Sequence, residues 1–171
     1  MFVPDVLRFD SYKNVALPIG KNQTISQPFT VAFMTQALDL NKSDIVLEIG
    51  TGSGFQTAIL AYIVREVYTV EVFSEFTEKA ISIHKKLNLK NIKYKTGNGL
   101  NGWDDYIKFN KIIVTAAIKK EPVKLFSQLE ENGIIVYPFV NGEQQVLYKC
   151  FKLNGKIIKQ TLQECNFVIA S

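Results

Sequence analysis

VLEIGTGSGFQTA (Val46–Ala58) carries the strongest fold signal in this chain. Its first half is a short, nearly unbroken apolar run, Ile45–Ile49, and three glycines follow within five residues, Gly50, Gly52 and Gly54. Phe55–Val64 then shows helical spacing. A buried strand that turns through glycines into a helix is the context in which a glycine loop binds a ligand. Glycines let the backbone turn sharply and approach a ligand without a Cβ in the way.

Val67–Val72, Ile92–Lys95, Lys111–Thr115 and Ile134–Pro138 read as further strands, rich in β-branched residues and tyrosine. Helical segments lie between them. Thr30–Leu40 puts Val31, Met34, Ala37 and Leu38 on one face, and Ser74–Leu87 and Glu121–Leu129 follow the second and fourth strands. Such alternation predicts an α/β fold, a mostly parallel doubly wound sheet in three layers. The tail changes character. Gln144–Lys152, the Asn154-Gly155 pair, Lys156–Leu162 and Asn166–Ile169 read as strand, tight turn and more strand, so the sheet is expected to end in an antiparallel edge.

With 171 residues, 47% hydrophobic and 21% charged, the chain suits one globular domain with a real core, expected to span 1–171. No apolar run approaches the ~20 residues of a membrane span, and MFVPDVLRFD lacks the basic and apolar regions of a signal peptide. The expected address is the cytoplasm. The net charge is only +4, and Arg8 and Arg65 are the sole arginines, a poor footprint for nucleic acid. Cys150 and Cys165 have no metal-type spacing and read as two buried, reduced thiols; no metal site is expected. The single histidine, His84, reads as a partly exposed helical residue, and Lys119-Lys120 as a solvated turn.

The loop also narrows the ligand. The sixth place of a dinucleotide fingerprint is Phe55 rather than glycine or alanine, and the Gly-Lys-Ser/Thr of a P-loop is absent. Glu48 beside the loop disfavours a pyrophosphate and suits an ammonium group. Glu71, at the tip of the second strand, can accept hydrogen bonds from both hydroxyls of a ribose. A nucleoside with a cationic amino-acid tail describes S-adenosylmethionine. Thr96-Gly97-Asn98-Gly99, past the third strand, reads equally as a contact for an adenine edge or as an ordinary turn.

ALPIGKNQTISQP (Ala16–Pro28), VLEIGTGSGFQTA (Val46–Ala58), VYTVE (Val67–Glu71), Gly102-Trp103, IIVTAA (Ile112–Ala117) and QLEENGIIVYP (Gln128–Pro138) together resemble the protein-L-isoaspartate O-methyltransferase family, in order, from about Phe2 to Val168. The glycine loop alone resembles class I methyltransferases in general; the ALPIG…QTIS segment is much more specific. The resemblance implies a seven-stranded Rossmann-like sheet. It implies transfer of a methyl group from S-adenosylmethionine to the free carboxylate of L-isoaspartyl residues in aged proteins. The ester closes to a succinimide, which partly reopens to aspartate. It implies Ser26 at the reaction centre, with Thr24, Ser26, Phe167 and Val168 meeting the substrate. It implies a cofactor set of Ile25, Glu48, Gly50, Thr51, Gly52, Glu71, Val72, Asn98 and Gly99. Isoaspartyl proteins are the expected partners, with no nucleic acid and no membrane.

The chain departs from that pattern in three places. It opens at Phe2-Val3-Pro4, where the family carries helices first, so those helices are expected to be missing. Asn98 stands where an acid is usual, which predicts weaker cofactor binding. Phe167-Val168 is followed by Ile169-Ala170-Ser171 rather than by the family's usual continuation. Two other readings compete: a class I methyltransferase for a different small molecule or RNA, and a cofactor-binding domain with reduced or lost turnover. Thr115-Ala116-Ala117 disfavours the subclass that methylates amide or adenine nitrogen through an Asn-Pro-Pro motif. A carboxylate acceptor needs no base, because it is already ionised near neutral pH. Ser26 has a structural alternative as N-cap of the following helix, and Trp103 reads as a core residue over the sheet edge.

Overall fold

The computed structural model describes residues 1–104 and 106–170, so Ser171 lies outside the described residues. Seven strands form one sheet in the order β5-β4-β3-β6-β7-β8-β9. These are β3 (Ile45–Ile49), β4 (Glu66–Glu71), β5 (Ile92–Thr96), β6 (Phe109–Val114), β7 (Leu129–Asn141), β8 (Gln144–Leu153) and β9 (Lys156–Cys165). β3 pairs in parallel with β4 and with β6, β4 with β5 and β6 with β7, while β8 and β9 add antiparallel. The mostly parallel sheet with an antiparallel edge is the architecture expected from the sequence. Chain order reverses around β3, the position at which open α/β sheets bind ligands beyond their carboxyl ends.

Strand alternation divides the core. Leu47, Ile49, Tyr68, Val70, Ile112, Val114, Ile135 and Tyr137 pack on one side with helix α4 (Val123–Gln128). Val46, Val67, Ile113, Ile134 and Val136 face the other, against α1 (Pro28–Ala37) and α2 (Phe55–Ile63). Helix α3 (Ser74–Lys86) follows β4 and turns Phe76, Thr77, Ala80, Ile83 and His84 inward. No helix among the described residues is long and apolar enough to cross a membrane.

Several boundaries move. α1 begins at Pro28, where a missing N–H costs nothing, and ends before Asp39, whose φ of 50° is left-handed. α4 starts only at Val123, because Pro122 holds the preceding residue out of the helical region. Leu129, read as helical, opens β7 with no intervening loop. Asn166–Ile169 forms no strand of the sheet: its ladder is a single bridge between Ile169 and Ala117. Cys150 is buried, but Cys165 is only half-buried. Trp103 packs edge-on to Tyr68 at 5.0 Å, against the sheet as expected, and Lys119-Lys120 is exposed.

One hairpin carries no signal in the sequence pattern. β1 (Leu17–Gly20) and β2 (Gln23–Ile25) pair antiparallel, turned by Lys21 and Asn22 at φ 51° and 57°. Both positive φ values fit a type I′ turn, which twists with the strands it joins. Lys21 ties the hairpin to the start of α3, 3.1 Å from Glu75 and above the Phe73 ring.

Candidate active site

A crevice opens beyond the carboxyl ends of β3, β4 and β6. Its floor is the glycine loop, whose first residue must be glycine. Gly50 has φ 97°, and a Cβ there would fall inside contact distance of Thr115 Oγ1. That hydroxyl is 2.8 Å from the Gly50 carbonyl and 3.0 Å from that of Ile49, so it clasps the turn from the neighbouring strand.

Glu71 forms the adjoining wall. Its Oε2 accepts from Gly52 N at 2.8 Å and its Oε1 from Phe73 N at 3.0 Å. Two backbone donors therefore fix a nearly buried carboxylate, and each oxygen keeps a lone pair for a ligand. Val72, Phe76 and Leu100 supply apolar surface beside it. Asn98 and Gly99 line the same wall. Asn98 Oδ1 accepts from Leu100 N at 2.9 Å, so the side chain first of all caps the short 3₁₀ turn Gly99–Asn101.

The roof comes from the hairpin and from the C-terminal stretch. Ile19, Thr24, Ile25 and Ser26 line the crevice from the hairpin and the turn after it, and Phe167 and Val168 line it from the C-terminal stretch. Gln145 clamps Phe167 through both its backbone N–H (2.7 Å) and its carbonyl (3.0 Å). Ala117 N donates to Val168 O at 2.8 Å. Residues 166–170 are thus held across the end of β6 without joining the sheet. Ser26 is not the N-cap of α1. That position is Gln27, and no side chain among the described residues caps the helix. The Ser26 hydroxyl has no hydrogen-bond partner among the described residues and stays free at the crevice.

Two expectations need correction. Glu48, assigned to the cofactor, does not line the crevice. Alternation along β3 sends it under α2, fully buried, where Thr57 and Thr69 both donate to its Oε2. Thr51 Oγ1, on the loop, is 2.6 Å from Thr69 Oγ1. Since Thr69 gives its one proton to Glu48, Thr51 donates to Thr69, and a hydroxyl chain links the loop to the buried acid. Glu48 Oε1 has no hydrogen-bond partner among the described residues. Burial pushes the acid up to about 8, against the two threonine bonds that lower it, with the Glu71 charge adding to the rise.

His84 is likewise not a partly exposed surface residue. It is buried, with Nε2 2.8 Å from Gly54 O and Nδ1 2.8 Å from Tyr94 Oη. The neutral tautomer that satisfies both donates from Nε2 to the carbonyl and accepts from the phenol. Burial holds its pKa below the usual histidine value. It braces the exit of the glycine loop from outside the crevice.

The model for the protein-L-isoaspartate(D-aspartate) O-methyltransferase family matches residues 1–171. The chain belongs to this family. Protein-L-isoaspartate O-methyltransferases of Dictyoglomus turgidum and Cronobacter sakazakii are each 46% identical to it, over 168 and 167 residues. Those alignments cover 98% of this chain and 76% and 80% of the relatives. Among solved structures, a protein-L-isoaspartate O-methyltransferase matches with TM-score 0.85 at 25% identity, covering 94% of this chain; the chain spans about half of that protein, 53%. A second, described as a putative family member from Plasmodium falciparum in complex with S-adenosyl-L-homocysteine, matches at TM-score 0.85 and 24% identity over 99% of this chain and 84% of its own. At that identity the likeness is one of fold.

Proposed function

We propose that this chain methylates the free carboxylate of L-isoaspartyl residues in damaged proteins, using S-adenosylmethionine. The crevice fits that group. Glu71 is a pre-fixed acceptor for a diol, the glycine loop leaves room for the amino-acid tail, and Val72, Phe76 and Leu100 offer an apolar slot for a flat base. When bound, S-adenosylmethionine supplies an electrophilic methyl group on a sulfonium.

The chain's own residues then have positioning to do rather than proton transfer, because the acceptor is ionised at neutral pH. Ser26 donates to the substrate carboxylate and fixes which oxygen faces the methyl group. The hairpin and residues 167–168 cover the reacting atoms and exclude water. Alignment of this kind is worth up to ~7–11 kcal/mol in favourable cases. The observation that carries the reading is the free Ser26 hydroxyl in the crevice that Glu71 and the glycine loop also line. The test offers an isoaspartyl peptide and its aspartyl twin with labelled cofactor. Label on the isoaspartyl peptide alone supports the reading; label on neither, or equally on both, defeats it.

Two variants probe the assignment. Ser26→Ala is expected to lower kcat/KM for the peptide about tenfold, ~1.4 kcal/mol, and to leave cofactor affinity in calorimetry unchanged. Asn98→Asp keeps the cap to Leu100 N and adds a second, charged oxygen for an exocyclic amine. It should tighten cofactor binding about fivefold, ~1 kcal/mol, and an unchanged or weaker Kd would remove Asn98 from the adenine wall.

A further inference from the structure

The sequence contains five Asn-Gly pairs, at 98–99, 101–102, 132–133, 141–142 and 154–155. Asn-Gly is where asparagine rearranges most readily, since the following glycine has no Cβ to hinder attack by its nitrogen. The backbone nitrogen of the glycine loses its proton to solvent base and bonds to the asparagine Cγ. The bond from Cγ to the side-chain nitrogen breaks, and ammonia leaves with a proton from solvent. Water then opens the succinimide at either carbonyl. Opening at the main-chain carbonyl leaves an isoaspartyl linkage, and opening at Cγ leaves aspartate. The step needs water at both residues, a mobile side chain and a glycine N–H that nothing holds.

The five pairs differ sharply on those terms. Gly99, Gly102 and Gly133 are buried. Asn98 is further held by its bond to Leu100 N, and Gly102 N donates to Gly99 O at 2.8 Å. The other two pairs sit exposed in hairpin turns. At 154–155 the Glu131 carboxylate reaches across from β7. It accepts from Asn154 N with one oxygen and from Gly155 N, at 3.1 Å, with the other. That bond keeps the attacking nitrogen protonated and pinned. At 141–142 there is no counterpart. Asn141 ends β7 opposite Gln144, Gly142 turns the chain at φ 65°, and neither the Asn141 side chain nor Gly142 N has a hydrogen-bond partner among the described residues.

We infer that Asn141-Gly142 is the place where an isoaspartyl linkage accumulates in this chain, that Glu131 shields Asn154-Gly155 from the same fate, and that the aged chain becomes a substrate for intact copies of itself. The last part rests on the proposed function; the first two do not.

The experiment ages the purified full-length chain in mildly alkaline buffer and follows each Asn-Gly peptide by mass spectrometry, with fragmentation that separates isoaspartate from aspartate. The peptide with Asn141 is expected to convert several-fold faster than the other four. In Glu131→Gln, one of whose two oxygens becomes an amide nitrogen, conversion at Asn154 should rise several-fold. Conversion at Asn154 as fast as at Asn141, or at Asn141 no faster than at the buried pairs, would overturn the assignment. Aged chain is then offered to fresh chain with labelled cofactor, beside an isoaspartyl peptide as control. Label on the Asn141 peptide, absent when Asn141→Gln is aged instead, supports self-recognition. Control labelled but aged chain unlabelled overturns self-recognition alone. Neither labelled overturns the proposed function and self-recognition with it, while the mass ratios still decide the damage site.

Discussion

Glu71→Ala is expected to weaken cofactor binding at least about a hundredfold, ~3 kcal/mol, from two hydrogen bonds to a charged acceptor. The carboxylate has a second task that makes the loss larger than the ligand contacts alone. Its Oε2 holds Gly52 N and its Oε1 holds Phe73 N, so it joins the glycine loop to the turn after β4. Without it, two backbone donors at the crevice wall fall back on water, and the loop loses its fixed relation to β4. Glu71→Gln separates the two tasks. An amide oxygen can still accept from one of the donors, but the amide nitrogen faces the other with a hydrogen of its own. Glutamine should therefore recover only a small part of the affinity. Calorimetric titration with S-adenosylhomocysteine measures it, and thermal melting checks that the fold survives. A Kd for the alanine variant within a few-fold of the parent would take the ribose away from Glu71.

The glycine loop and the acid at the tip of β4 were legible because each is a local signature: a turn that needs glycine, and a polar residue at the end of a buried strand. The strands of the parallel sheet were legible for the same reason, as short β-branched runs between amphipathic segments. Orientation was not. Glu48 sits in a strand buried on both faces, where an apolar run gives no polar partner against which to count alternation. Its direction follows only from the register with β4, which sets Glu48 beside Thr69. His84 carried a usable signal. Phe76, Thr77, Ala80, Ile83 and His84 follow the spacing of one helical face, and all five are buried. The flanking lysines obscured it by making the segment look solvated. The β1–β2 hairpin lacked the usual Asn-Gly turn and places its left-handed residues at Lys21 and Asn22. Asn166–Ile169 looked like a strand because Phe, Val and Ile suit one. Gln145 meets the backbone of Phe167 at both its polar groups, and that contact takes the place of a ladder.

Glu48→Gln is expected to make the protein more stable at alkaline pH, by roughly 4 kcal/mol at pH 8, since each tenfold change in a proton-binding equilibrium is worth about 1.4 kcal/mol. The buried acid, raised from 4.5 to about 8, holds its proton in the folded state across a range where the unfolded chain has released it. The folded state therefore binds more protons than the unfolded state between those values, and stability falls as pH rises from about 4.5 to about 8. Glutamine does not titrate, so its advantage grows through that window and vanishes toward the acid end. Its carbonyl oxygen can still accept from Thr57 and Thr69, and its amide nitrogen takes the place of the unpartnered Oε1. Cofactor affinity should change little, because the chain from Thr51 through Thr69 still finds an acceptor. Melting temperatures of both proteins across pH 5 to 8.5 read the effect. A variant less stable at every pH would mean that the two threonine bonds keep the carboxylate charged, and that burial is the weaker force at this position.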